Sequence, residues 1–197
     1  MAKIDMARRA EIGRERRAKT RAQLVEAGAM LLAERPPEAI TVDAVVDAAS
    51  VAKGTFYYHF QSIDELAAAV GAQLGESFDE MLTPARLEVS DPVERLSFAF
   101  AQFLERAISD ASWARLVVQS SQSADFGLGV RANLKADLSE AIAQDRLNVR
   151  DVELAADIVI GIWLQVTRGI LERGAKRDLI RHACEAVLRA IGARRSD

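Results

Sequence analysis

Apolar residues recur along this chain every third or fourth position, and no strand-like alternation interrupts them. Leu24, Gly28, Leu31 and Leu32 share one helical face that stops before Pro36-Pro37, which predicts a first helix from about residue 14, with 1–13 frayed. Thr41 is a good N-cap for a short helix carrying Val42, Val45 and Val46. The chain turns near Ala49-Ser50, and a third short helix is expected over about 53–59. Ser62-Ile63-Asp64-Glu65 reads as a capping box for a long helix with Leu66, Val70, Leu74, Phe78 and Met81/Leu82 on one stripe. Thr83-Pro84 is expected to break it. Asp91-Pro92-Val93-Glu94 opens the next helix, which buries Leu96, Phe100, Phe103, Leu104 and Ala107. Short helical patterns follow over 113–119 and 124–145. Asp151 starts a helix that ends at Gly174, and a last one covers about 176–192. The chain thus predicts an all-α fold of about nine helices: a three-helix helix-turn-helix head over residues 1–63 and a helical body over 64–197.

The pattern over 152–171 differs from the rest. Leu154, Ile158, Val159, Ile160, Ile162, Trp163, Leu164, Val166, Ile170 and Leu171 are apolar almost all round. Such a helix must be covered on more than one side. One side can meet the core. The other is expected to meet the same helix of a second subunit, making a homodimer, although a central core helix would satisfy the same pattern.

Charge sharpens this division. Residues 1–24 hold eight Lys/Arg against Asp5, Glu11 and Glu15, a surplus of five; the whole chain carries −3, so the remainder carries −8. A basic head on an acidic body is the asymmetry expected where one end meets a polyanion. A single cysteine, Cys184, excludes an intrachain disulfide and fits a reducing, cytoplasmic setting. No signal-peptide pattern and no run long and apolar enough for a membrane span is read, so no membrane partner is expected.

The chemistry sits in residues 52–60. Lys53 offers charge to a phosphate, and Gly54 lets backbone approach DNA. Thr55, Tyr57, Tyr58 and His59 offer hydroxyl, imidazole and flat surface to phosphates and base edges. The run Thr41-Val42-Asp43-Ala44-Val45-Val46-Asp47-Ala48-Ala49-Ser50-Val51-Ala52-Lys53-Gly54-Thr55-Phe56-Tyr57-Tyr58-His59-Phe60 resembles the DNA-binding signature of the TetR family, over roughly 14–66. The resemblance implies a ligand-responsive transcriptional regulator, usually a repressor, that binds a palindromic double-stranded operator as a dimer. It implies phosphate contact at Thr41 and DNA contact at Lys53, Thr55, Tyr57, Tyr58 and His59. Phe56 and Phe60 would be the locking side, and Arg14, Arg16, Arg17, Lys19 and Arg21 an arm on the flanking backbone. Ser50, Ala52 and Ile63 depart from the common pattern at a turn Gly, a capping Ser and a phosphate-binding Lys.

In the body the resemblance implies a pocket for a small, largely apolar effector. Phe78, Met81, Phe100, Phe103, Trp113, Phe126 and Trp163 are the candidate walls, and Gln119, Gln122, Gln165 and Arg115 the candidate polar contacts. Enzymatic function is excluded on material: two His and one Cys, with no HExxH, P-loop, GxSxG or CxxC pattern. No cofactor or metal site is expected. A helical protein- or ligand-binding module without specific DNA recognition is the remaining alternative.

Overall fold

The computed structural model describes residues 2–121 and 128–194. Its described residues form nine α-helices and one 3-10 turn, Pro37–Ala39, and divide into two compact units, Met1–Val70 and Gly71–Asp197.

The first unit holds α1 (Ala2–Glu34), α2 (Val42–Ala49), α3 (Lys53–His59) and the start of α4 (Ile63–Leu87). Residues 2–13, expected to fray, instead continue α1. Ala2, Ala7, Ala10, Arg8, Arg9 and Glu11 are strong helix formers, and propensity carries the helix where no apolar face exists. Leu24, Val25, Leu32, Val45, Val46, Phe56, Phe60, Leu66 and Val70 are the buried centre. Gly28 is required there: a Cβ on it would meet Leu66 Cδ2 at 2.8 Å. Thr41 caps α2, its hydroxyl accepting from the Ala44 N–H at 3.2 Å. Ser50 ends α2 in the left-handed region (φ 54°), the conformation that glycine adopts without strain. Ala52 starts α3 with no side-chain cap. At α4 the Ser62 hydroxyl accepts from the Glu65 N–H, and the Glu65 carboxylate accepts from the Gln61 N–H at 2.6 Å. The box therefore closes one residue further back than its pattern predicts.

The second unit holds the rest of α4, then α5 (Pro92–Ser109), α6 (Ala111–Ser120), α7 (Leu128–Ala143), α8 (Val152–Arg173) and α9 (Leu179–Ala190). Thr83-Pro84 does not break α4, which runs on to Leu87. Pro84 removes one backbone donor. The last turn is nevertheless held from both sides: Leu82 is buried, and the buried Arg86 guanidinium donates to Asp137 of α7 at 2.6 Å. Asp91 caps α5 and accepts from the Val93 and Glu94 N–H groups at 2.8 and 3.1 Å. Burial opposes its charge, but Arg146 and those two donors hold the Asp91 carboxyl below the usual range. Gly174 ends α8 at φ 75°.

Helix α8 passes through the centre of this unit, burying Ala155, Ala156, Val159, Trp163, Thr167 and Ile170. By length and composition it would also pass as a membrane span, which corrects the expectation that no segment would. Its other face carries Leu154, exposed, with Ile158 and Ile162 half-buried.

Candidate functional site

Each unit contains one concentration of chemistry. In the first it lies on α3. Phe56 and Phe60 turn inward, 0% and 1% exposed, while Tyr57 and Tyr58 turn outward at 55% and 68%. An exposed tyrosine pair costs hydrophobic free energy unless something covers it, and here its neighbours are polar. Lys53 and Gly54 are exposed beside it, and nothing stands within 4 Å of where a Gly54 Cβ would be. Arg16, Arg17 and Thr20 of α1 line a shallow depression together with Gly54, Thr55, Tyr58 and His59 of α3. Seven of the eight residues expected to touch DNA thus fall on or beside α3, with Arg17 drawn in from α1; Thr41 is exposed at the N-terminus of α2, its hydroxyl engaged in the cap.

Three features of this face were not expected. Lys53 Nζ stands 2.8 Å from Asp43 Oδ1, and that hydrogen bond, with the carboxylate's charge, raises the lysine above its ordinary value. Arg21 lies over the Phe60 ring, 5.0 Å from its centroid, so this cation of the arm packs on the locking residue. The His59 ring packs edge-on to Tyr58 at 5.0 Å. Burial, then the positive charges of Arg21 and Arg17, lower its pKa below the ordinary imidazole value.

In the second unit the site is a cavity of about 420 Å³ between α4, α5, α6, α7 and α8. Phe100, Phe103, Trp113 and Trp163 line it. Phe78 stands behind them, its ring 4.2 Å from Phe103 and 5.3 Å from Trp113. Trp163 meets Phe103 edge-on at 5.1 Å, and its buried indole N–H has no hydrogen-bond partner. Met81, an expected wall residue, and Gln119, Gln165 and Arg115, expected polar contacts, stand outside the lining. Met81 is 60% exposed, one residue off the stripe that points Phe78 and Leu82 inward. Gln119 is half-buried outside the lining. Phe126 and Gln122 lie outside the described residues.

The polar part of the cavity was missed from sequence. Asp137, deep in α7, accepts from Arg86 at 2.6 Å and from Arg95 Nε at 2.9 Å. Arg95 also pairs with Glu140 and donates to the Val89 and Ser90 carbonyls. Asn133 Nδ2 donates to Asp79 at 2.7 Å. Arg131 meets Glu153 at 3.0 Å and Asp157 at 2.8 Å. In a sequence these residues read as solvated helix faces. The one available signal was a charge falling on an otherwise apolar stripe, as Arg86 does after Phe78 and Leu82.

Comparison with known proteins gives these two sites a common setting. Bacterial regulatory proteins of the tetR family match residues 24–70, and the tetracyclin repressor-like C-terminal domain matches residues 91–197. The chain belongs to the TetR family. It is therefore a transcriptional regulator with a helix-turn-helix head and a helical C-terminal domain, and a non-enzymatic one. Among solved structures, RolR in complex with resorcinol is 22% identical, with a TM-score of 0.70 and 91% of each chain covered. FadR from Bacillus subtilis in complex with stearoyl-CoA is 20% identical, with a TM-score of 0.66, covering 86% of this chain and 96% of its own. A TetR-family regulator from Pectobacterium atrosepticum is 21% identical at a TM-score of 0.69, covering 93% and 99%. At these identities the likeness shows the fold. No sequence among the curated proteins matches the chain.

Proposed function

We propose that this regulator is a repressor that binds a palindromic double-stranded operator as a homodimer and releases it on binding a small, largely apolar effector. The observation that carries the reading is the two-sided α3: Phe56 and Phe60 are locked in the head's core, while Lys53, Gly54, Tyr57 and Tyr58 are presented outward beside Arg16 and Arg17. That is the arrangement a recognition helix needs, with cations for phosphates and flat polar side chains for base edges. Lys53, Gly54, Thr55, Tyr57, Tyr58 and His59 take the DNA contacts in this reading, with Thr41 and Arg17 on the backbone. The 1–63 head would bind DNA and the 64–197 body would bind effector and partner. A DNA-binding role would put its work in the cytoplasm.

The exposed apolar side of α8 supports the dimer. Leu154, Ile158, Gly161, Ile162 and Gln165 lie along one face, and Gly161 has open space where a side chain would be. A partner helix could close on it. A twofold dimer reads two half-sites about one DNA turn apart, roughly 34–36 Å. Helix α4 carries Leu66 in the head's core and Asp79, Leu82 and Arg86 in the cavity wall. An effector that binds better to one arrangement of the cavity can shift the half-site spacing through that helix, by no more than its differential affinity. RolR and FadR carry resorcinol and stearoyl-CoA respectively, which supports effector control as the body's role.

The test is selection of bound DNA from a random pool with the full chain, followed by titration of the recovered sequence. A palindrome with half-sites one turn apart is expected. Recovery of no preferred sequence would instead favour a helical module without specific DNA recognition.

A further inference from the structure

The cavity in the second unit has a charge balance that selects among ligands. Four charged residues reach its lining: Asp79, Arg86, Arg131 and Asp137. Arg86 and Asp137 belong to a buried cluster with Arg95 and Glu140, two cations and two anions. Arg131 belongs to a second cluster with Lys135, Glu153 and Asp157, again two of each. Both clusters sum to zero. Asp79 stands outside them. Its only hydrogen-bond partner among the described residues is the neutral Asn133 side chain, on one carboxylate oxygen. Asp79 is therefore the lining charge with no oppositely charged partner among the described residues.

The apolar walls act in the same direction. Phe100, Phe103, Trp113 and Trp163 present ring surface, and aromatic faces attract cations and polarised donors. An anion would meet Asp79 at short range with both arginines already paired to carboxylates, and its desolvation would go uncompensated. The unpartnered Arg86 Nε–H and Trp163 indole N–H invite an acceptor, which a neutral hydroxyl supplies as well as a carboxylate does. The unpaired charge of Asp79 then decides between them.

We propose that the effector is a compact, non-anionic compound with an aromatic body and an N–H or O–H donor, most favourably a protonated amine, whose body lies on the rings and whose donor bonds the free oxygen of Asp79. This rests on the reading of the cavity as the effector site. A donor on this half-buried carboxylate discriminates by roughly tenfold against a ligand that lacks it.

Three probes of one shape and different charge separate the possibilities: phenylbutylamine, phenylbutanol and phenylbutanoate, titrated calorimetrically into the full chain. The chain's two tryptophans, Trp113 and Trp163, both line the cavity, so binding there also changes tryptophan emission. The amine should bind tightest and the acid weakest, by about tenfold or more. Asp79→Asn should level the series while leaving helical content unchanged. The wild-type series needs no variant, so a misfolded Asp79→Asn would not rescue the proposal. An acid that binds as well as the amine, or an emission change from none of the three, overturns it. Operator affinity measured beside each titration keeps the two readings apart. If the acid binds well and releases operator, effector control stands and the ligand class falls. If the amine binds as expected and operator affinity is unchanged, the ligand class stands and effector control falls.

Discussion

The two units handle charge in opposite ways. In the head, cations are presented: Arg16, Arg17 and Lys53 are exposed, and the pairing of Lys53 with Asp43 is an open surface contact that competing phosphates can replace. Beside the body's cavity, cations are paired and enclosed. Arg86 and Arg95 are buried against Asp137, and each arginine of the cavity lining has a carboxylate partner. A surface for a polyanion keeps its positive charge available; a cavity for a small compound neutralises its own charges and leaves one polar group to select. The difference lies in packing rather than composition, since both units are helical and rich in arginine.

The largest effects should come from each unit's anchor. Asp137→Ala leaves Arg86 and Arg95 without their shared buried partner and should cost about 3–5 kcal/mol. Chemical denaturation would read the loss. Phe56→Ala removes a fully buried ring from the head and should cost a similar ~3–5 kcal/mol. Amide hydrogen exchange would sharpen the comparison: protection should fall first over 24–70 for Phe56→Ala, and over 86–140 for Asp137→Ala. Identical loss throughout both would break the division into two units.

On the exposed face the effects are on binding rather than folding. Lys53→Ala and Tyr57→Ala should each weaken operator binding by about 1–3 kcal/mol with little change in melting temperature, and Lys53→Ala should lower the salt dependence by about one phosphate. Smaller again is the pH effect of His59. Its pKa in the folded head lies below the ordinary 6.5 through burial and the neighbouring arginines, so the unfolded chain binds more protons as pH falls through that value. Acid should therefore destabilise the free head. DNA phosphates favour the imidazolium, so the same acidification should tighten the complex, by at most about tenfold per unit by which DNA raises the pKa. His59→Gln should flatten both trends. The smallest change is a gain: Ala52→Ser supplies the missing cap of α3 and should add about 1 kcal/mol.

Much of the head was legible because its determinants are contiguous. Thr41 as cap and the turn at Ser50 follow from local rules acting on neighbours in sequence, and the uncapped Ala52 and inward Phe56 and Phe60 were implied by the resemblance of the contiguous 41–60 run. Helix starts at Asp91 and Asp151 were legible for the same reason. What sequence concealed depends on partners far along the chain. Pro84 signals a break, and Arg86 reaching Asp137, with Leu82 buried, explains why α4 continues. Met81 belongs to an apolar stripe, yet the stripe is wider than the face that packs. Asp79, Asn133 and Asp137 read as surface polar residues because the helices that enclose them are not adjacent in the sequence.

The assignment of α3 as a DNA-reading helix is tested most directly by one binding measurement. Fluorescence anisotropy of the full chain on a selected palindrome and on its scrambled duplex would be compared with the Lys53→Ala, Tyr57→Ala double variant at matched salt. The expected result is strong preference of the wild type for the palindrome, typically 10³-fold or more for a specific site. The double variant should lose that preference and keep its fold. Equal binding to both duplexes by the wild type, or an unaltered preference in the double variant, would contradict it.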